Sequence, residues 1–147
     1  MTNVKFRQAK FKDIENIIKL CNEVFEENTD LHSAKTIFLN NQDDTNQIYL
    51  IGYIDNKIIA HTKISIIPTI FDKTSTYAIL NHVCVKKEYR HQKIATQMLQ
   101  ECEKICHSKG CTSLKLYSSN FRTAAHSLYQ SFGFENQNLT FFSKIIN

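Results

Sequence analysis

No stretch of the 147 residues approaches the ~18 consecutive apolar side chains of a membrane-spanning helix. The opening residues, MTNVKFRQAKF, also lack an apolar signal region, so the sequence predicts a cytosolic protein with no membrane partner. Glycine and proline are scarce, three and one, and no repeat, low-complexity tract or linker interrupts the chain. Residues 1–147 therefore read as one domain, of a length at which folding buries roughly 70% of the unfolded surface. The five cysteines (Cys21, Cys84, Cys102, Cys106, Cys111) are odd in number and mostly sit inside apolar patterns, which excludes a disulfide framework and points to reduced thiols. Neither sign of charge dominates. A net charge of +4 and a pI of 8.8 suit an anionic ligand but fall far short of a polybasic tail.

What is present alternates between strand and helix patterns. VKFRQA (4–9) alternates briefly as a first strand, and Ile14, Ile17, Ile18, Cys21, Val24 and Phe25 then recur at helical spacing. A second helix is expected around Ser33–Leu39, with Ser33 as its N-cap. QIYLIGYI and KIIAHTKISII flank Asp55-Asn56, the pattern of a tight hairpin, and YAILNHVCV follows as a strand apolar on both faces. A helix with the stripe Ile94, Met98, Leu99, Cys102, Ile105 and Cys106 ends at Gly110 and leads to the strand SLKLYS (113–118), a parallel crossover unit. A last helix carries Ala124, Ala125, Leu128, Tyr129 and Phe132, and LTFFSKII (139–146) reads as a final strand. The order predicts an α/β fold with a mixed, mostly antiparallel central sheet and helices on both faces.

The stretch YRHQKIAT (89–96) joins the buried strand to the helix and sits in a turn bearing Lys86, Lys87, Arg90, His91 and Lys93. A strand running into a helix presents free N–H groups and the positive end of the helix dipole, so this turn suits an anion. It contains no glycine, which excludes a phosphate-binding P-loop and a dinucleotide fingerprint. Elsewhere the charges are mixed, which argues against nucleic acid.

HVCV, a three-residue spacer, YRHQKIAT and the downstream NFRTAAHSLYQSFGF together resemble the GNAT N-acetyltransferase superfamily, which moves an acyl group from a coenzyme A thioester to an amine. The resemblance covers nearly the whole chain. In that superfamily the turn usually reads Gln or Arg, two residues, Gly, one residue, Gly or Ala. Arg90 and Ala95 match, and Lys93 stands in the glycine position. Arg122, Ala125-His126, Leu128-Tyr129 and Gly133-Phe134 match a second pattern, common in one branch of these enzymes. The resemblance implies the acyl-CoA N-acyltransferase fold, acetyl-CoA as cosubstrate, no metal, and a small-molecule or protein amine as acceptor; a homodimer is left open. It also implies that the backbone of Val83, Cys84 and Val85 pairs with the pantetheine arm, with an amide N–H there polarising the acyl carbonyl. Arg90, His91, Gln92, Lys93, Ile94, Ala95 and Thr96 would hold the pyrophosphate, with Asn120 and Arg122 as further contacts.

Acyl transfer from a thioester needs a neutral amine, a site for the oxyanion and a proton for the departing thiolate. Tyr129, carrying a phenol, is the expected general acid. Many relatives use a glutamate as base at the position of Asn81, which cannot take a proton; the neighbouring His82 or a water relay is then the candidate. Strand alternation sends Asn81 and His82 to opposite faces unless a bulge intervenes, and a structural histidine is the competing reading. At Lys93 a Cβ could obstruct a pyrophosphate, but in the first helical turn its dihedrals would be ordinary and its ammonium would attract. Asn120 has a simpler role open to it, as cap of the last helix. A Cys84–His82 hydrolase lacks a third partner, and a zinc cluster from Cys102, Cys106, His107 and Cys111 conflicts with the apolar stripe. The runner-up is a non-catalytic domain that binds acyl-CoA as a sensor or scaffold.

Overall fold

The computed structural model describes residues 3–73 and 75–147. In chain order it contains β1 (Lys5–Gln8), α1 (Ile14–Phe25), α2 (Leu31–Asn40), β2 (Gln47–Ile54), β3 (Lys57–Ile67), β4 (Thr76–Val85), α3 (Ile94–Ser108), β5 (Cys111–Leu116) and α4 (Thr123–Phe132). Short 3₁₀ turns at Phe11–Asp13 and Lys87–Tyr89 precede α1 and α3. The chain forms two compact units, a larger one ending at Tyr117 and a smaller one, Ser118–Asn147.

The larger unit holds one five-stranded sheet in the order β1-β2-β3-β4-β5. The first three pairings are antiparallel and β4 with β5 is parallel, as a crossover through α3 requires. Asp55 and Asn56, at φ 47° and 66°, make the β2–β3 turn, the left-handed pair that matches strand twist. Helices cover both faces. Ile14, Ile17, Leu20 and Cys21 of α1 pack with Ile51 and Cys84 of the sheet, and α2 adds Leu31, Ala34 and Phe38 at the margin. Neighbouring strand positions (Leu50, Ile64, Leu80) face the other way and are buried with the α3 stripe of Ile94, Met98, Leu99, Cys102 and Cys106. Each fully buried aliphatic side chain contributes roughly 1.5–3 kcal/mol, so the two layers carry the stability of the unit.

The entry to α1 is fixed by a polar clasp. Asp13, 5% exposed, accepts both guanidinium nitrogens of Arg7 on β1 at 2.7 and 3.0 Å and the Lys10 N–H at 2.8 Å. Those Arg7 hydrogen bonds hold the Asp13 carboxyl below the usual carboxylate value despite its burial.

Three expectations are corrected. The second helix starts at Leu31 behind Asp30, whose carboxylate accepts the Ser33 N–H at 2.9 Å, so Ser33 lies in the first turn and Asp30 is the cap. The last strand of the parallel pair runs over Cys111–Leu116, starting and ending two residues earlier than its apolar run suggests. Residues 139–146 form no strand; Leu139, Phe141, Phe142, Ile145 and Ile146 are exposed. Strand propensity records how a residue fits a half-buried pleated surface, and within the smaller unit this run has no partner strand.

Candidate active site

The site is built at the C-terminal half of β4. Its pairing with β5 ends at Leu80 opposite Leu116, so, among the described residues, 81–85 have no strand partner on that side. Lys86 donates its N–H to Ile59 O on β3 at 2.7 Å; by alternation Val85 turns its N–H and C=O to the β5 side. There Arg90 donates through Nε to the Val85 carbonyl oxygen at 3.2 Å. An extended ligand adding itself to this edge would meet backbone donors and acceptors in strand geometry.

β4 also carries one residue too many. His61 pairs with Cys84 and Lys63 with Asn81, so two steps along β3 match three along β4. The surplus is absorbed at His82, which sits at φ 54°, in the left-handed region. Thr62, buried opposite the bulge, donates its hydroxyl to Asn81 O at 2.9 Å and pins the deformed backbone. The conflict between Asn81 and His82 is thereby removed. Asn81 keeps the face of Lys63, and His82 reaches the α1 side too, its Nε2 2.8 Å from Glu27 Oε1 and its ring edge-on to Phe25 at 5.0 Å. Glu27, which no motif singled out, is the partner that sequence reasoning missed; a strand histidine 55 residues from an acidic loop carries no local signal.

Beyond Val85 the chain makes a 3₁₀ turn and then α3. The N–H groups ahead of the first intrahelical bond, which runs from Gln97 N–H to Lys93 O, point out of the helix, and Lys93 gives no side-chain cap. His91 and Lys93 lie at φ 63° and 61°, so Lys93 is not in the first helical turn but in the left-handed position just before it. The expectation of ordinary dihedrals there is corrected: the site where the superfamily pattern has glycine demands glycine-like backbone, and this chain meets it with a strained lysine. Arg90, His91, Gln92 and Lys93 are exposed, Ile94 is a core residue, and Ala95 and Thr96 are half-buried in the first turn.

In the smaller unit, Asn120 does not cap α4. The helix begins behind Arg122, which gives no side-chain cap either and whose N–H returns to Ser119 O at 3.0 Å. Gly133, at φ 114°, closes α4 with paired bonds, its own N–H to Gln130 O and the Phe134 N–H to Tyr129 O. That closure is a Schellman motif, and it sets the Phe134 ring against the Tyr129 ring at 5.8 Å, fixing the orientation of the half-buried phenol.

Other chemistries fare poorly. Cys84 is buried, and its hydrogen bond with Cys21 together with burial pushes the thiol well up, away from the thiolate a nucleophile needs. Burial likewise pushes Cys102 and Cys106 up to about 12, and among the described residues no group of three His, Cys, Asp or Glu is arranged to hold an ion. No helix among the described residues is long and apolar enough to cross a membrane. An open cavity of about 300 Å³ between α1 and the β2–β3 turn is lined by Lys19, Lys57 and Lys86, against a single Glu23.

Comparison with known proteins gives the family and the fold. Residues 11–134 match the model of the Acetyltransferase (GNAT) family. Over 86 residues the chain is 34% identical to the spermidine N(1)-acetyltransferase of Thermoplasma acidophilum, a stretch covering 58% of this chain and 44% of that protein. The chain thus spans less than half the length of that curated relative. Among solved structures it is similar to a transcriptional regulator from Bacillus halodurans C-125, with a TM-score of 0.90, 18% identity and coverage of 97% of this chain and 100% of that one. It is also similar to a predicted acetyltransferase with acetyl-CoA from Clostridium acetobutylicum, with a TM-score of 0.80, 20% identity and coverage of 97% and 96%. At such identities the structural likenesses speak for the fold, and the family model, matched across most of the chain, decides the kinship: this protein belongs to the GNAT acetyltransferase family.

Proposed function

We propose that residues 1–147 act as one N-acetyltransferase domain, moving an acetyl group from acetyl-CoA to a primary amine by direct transfer in a ternary complex. The observation that carries this reading is the succession of two ligand-ready features: the edge of β4 at residues 81–85, unpaired with β5, leads through the short Lys87–Tyr89 turn to the N-terminus of α3. The edge suits the amide-bearing pantetheine arm, and the α3 N–H groups with Arg90 and Lys93 suit the pyrophosphate. An outward amide N–H of the Val83–Val85 edge polarises the acyl carbonyl. His82 takes the proton from the acceptor ammonium so that the free amine can attack. Tyr129, assigned from the Arg122–Phe134 motif, returns a proton to the departing thiolate.

The acceptor is a small-molecule amine. The relative named for spermidine supports that class, as does the placing of the His82–Glu27 pair at an exposed rim, open to a small ligand. The three-lysine cavity is a poor place for a cationic acceptor, whereas Glu27 on the α1–α2 loop puts a carboxylate beside His82.

Two measurements test the reading. Acetyl-CoA should raise the melting temperature, and thiol should be released when an amine panel is added. Stabilisation without release under any amine favours the acyl-CoA sensor; an unmoved melting temperature removes both.

A further inference from the structure

The Glu27–His82 contact joins two backbones that are each held in a costly conformation to make it. Glu26 closes α1 at φ 53° and His82 forms the β4 bulge at φ 54°, both non-glycine residues in the left-handed region. The Glu26 turn folds the chain back, so that the Glu27 N–H bonds Asn22 O at 3.2 Å and the Thr29 N–H bonds the Asn22 side chain at 3.1 Å. Glu27 is therefore presented from a fixed loop rather than a free one. On the other side the His82 ring is flanked edge-on by Phe25.

The atom that Glu27 engages decides the chemistry. A carboxylate only accepts, so with Oε1 at 2.8 Å from Nε2 the proton of the neutral imidazole resides on Nε2. Nδ1 is then the nitrogen with a free lone pair. We propose that Glu27 is a positioning residue that holds His82 as its Nε2–H tautomer, leaving Nδ1 to accept the proton of the acceptor ammonium. In that step an N–H bond of the ammonium breaks and an Nδ1–H bond forms; the nitrogen lone pair so released attacks the acetyl carbonyl, and the imidazolium carries its charge against the Glu27 carboxylate. Asn81, the residue at the usual base position, takes no proton in this scheme.

This inference rests on the acetyl-transfer reading, and the tests keep the two apart. Glu27→Ala removes the partner at an exposed position and should lower kcat about tenfold with the KM for acetyl-CoA unchanged, a loss within the range of general-base catalysis. In a His82→Asn background, chosen because asparagine tolerates the left-handed region, the same change should cost nothing further. An equal loss in both backgrounds, or a loss confined to the KM of the amine, overturns the assignment. Nitrogen NMR of the imidazoles provides a readout that needs no activity: His82 should be protonated on Nε2 in the native chain, and its nitrogen shifts should move in Glu27→Ala. A native Nδ1–H tautomer, or shifts that do not move, overturns the pairing even if acetyl transfer is found; NMR agreement without transfer to any amine places the failure in the proposed reaction instead.

Discussion

Lowering the pH should destabilise this protein through His61 before its carboxylates are reached. The imidazole is 3% exposed, paired across the sheet with Ile51 and Cys84 and stacked on Tyr49 at 6.2 Å, and its Nδ1–H donates to Leu50 O at 2.9 Å. Burial pushes it down to about 4; the Leu50 bond opposes this in part and the His82 charge adds to it. A base whose folded pKa is depressed binds its proton more readily when unfolded. Stability is therefore whole above the unfolded value of about 6.5 and declines as pH falls from there toward about 4. At about 1.4 kcal/mol per pH unit the full interval is worth about 3.5 kcal/mol, a large part of the 5–15 kcal/mol typical of a domain. The other five histidines are exposed or half-buried, so His61 dominates this window. Asp13 acts lower still: its carboxyl is depressed, so its contribution is present above the ordinary carboxylate value and is lost only as pH falls through the folded one. The assay is urea unfolding at steps between about pH 7 and about pH 4.5, native against His61→Gln, which keeps a donor for Leu50 and cannot titrate. The native midpoint should fall with pH and that of the variant should hold nearly level. Parallel declines would refute the argument.

Lys93 can be dissected by two substitutions. Lys93→Gly should be more stable than Lys93→Ala by about 1 kcal/mol in thermal unfolding, because only glycine adopts φ 61° without Cβ strain. Both should raise the KM for acetyl-CoA a few-fold if the ammonium contributes to pyrophosphate binding. Gly52→Ala would put a Cβ 2.9 Å from the Phe6 ring and 3.1 Å from the Ala60 Cβ, so it should cost about 1–3 kcal/mol and loosen β1, read as a lower melting temperature. Tyr129→Phe should lower kcat by about ten- to a hundredfold with acetyl-CoA affinity retained; unchanged turnover would remove the phenol from the mechanism.

The parts of the fold legible in the sequence are those set by short-range rules. The α1 stripe, the Asp55-Asn56 hairpin and the α3 crossover each announce themselves within about fifteen residues, through one period or one turn pair. Leu20 escaped between the marked positions Ile18 and Cys21, though it is as buried as Cys21 and more so than the half-buried Ile18. Of the candidate site, the sequence order alone puts residues 83–85 at the end of a strand and 90–96 at the start of the next helix, and β4 and α3 lie there. The β4 bulge was named only as a condition, since it depends on counting residues across two strands rather than along one. Glu27 reads in the sequence, with Glu26 and Asp30, only as part of a polar loop that could attract a cationic amine; its pairing could not be found because His82 is far away in the chain. Residues 139–146 misled for the opposite reason. Their apolar composition is a local signal for a strand, but pairing is not a local property.

The surplus residue in β4 acts as a phase shifter for the strand. Upstream of it, Ala78 and Leu80 face α3; downstream, Cys84 faces α1 in a register that simple alternation from Leu80 would not give to it together with Asn81. Deleting one residue at His82 would restore regular pairing with β3 and keep Cys84 opposite His61, so the core would survive while the imidazole disappeared. A chain with that deletion would fold as a tidier sheet without the His82 imidazole, which makes the irregularity of β4 separable from the stability of the fold.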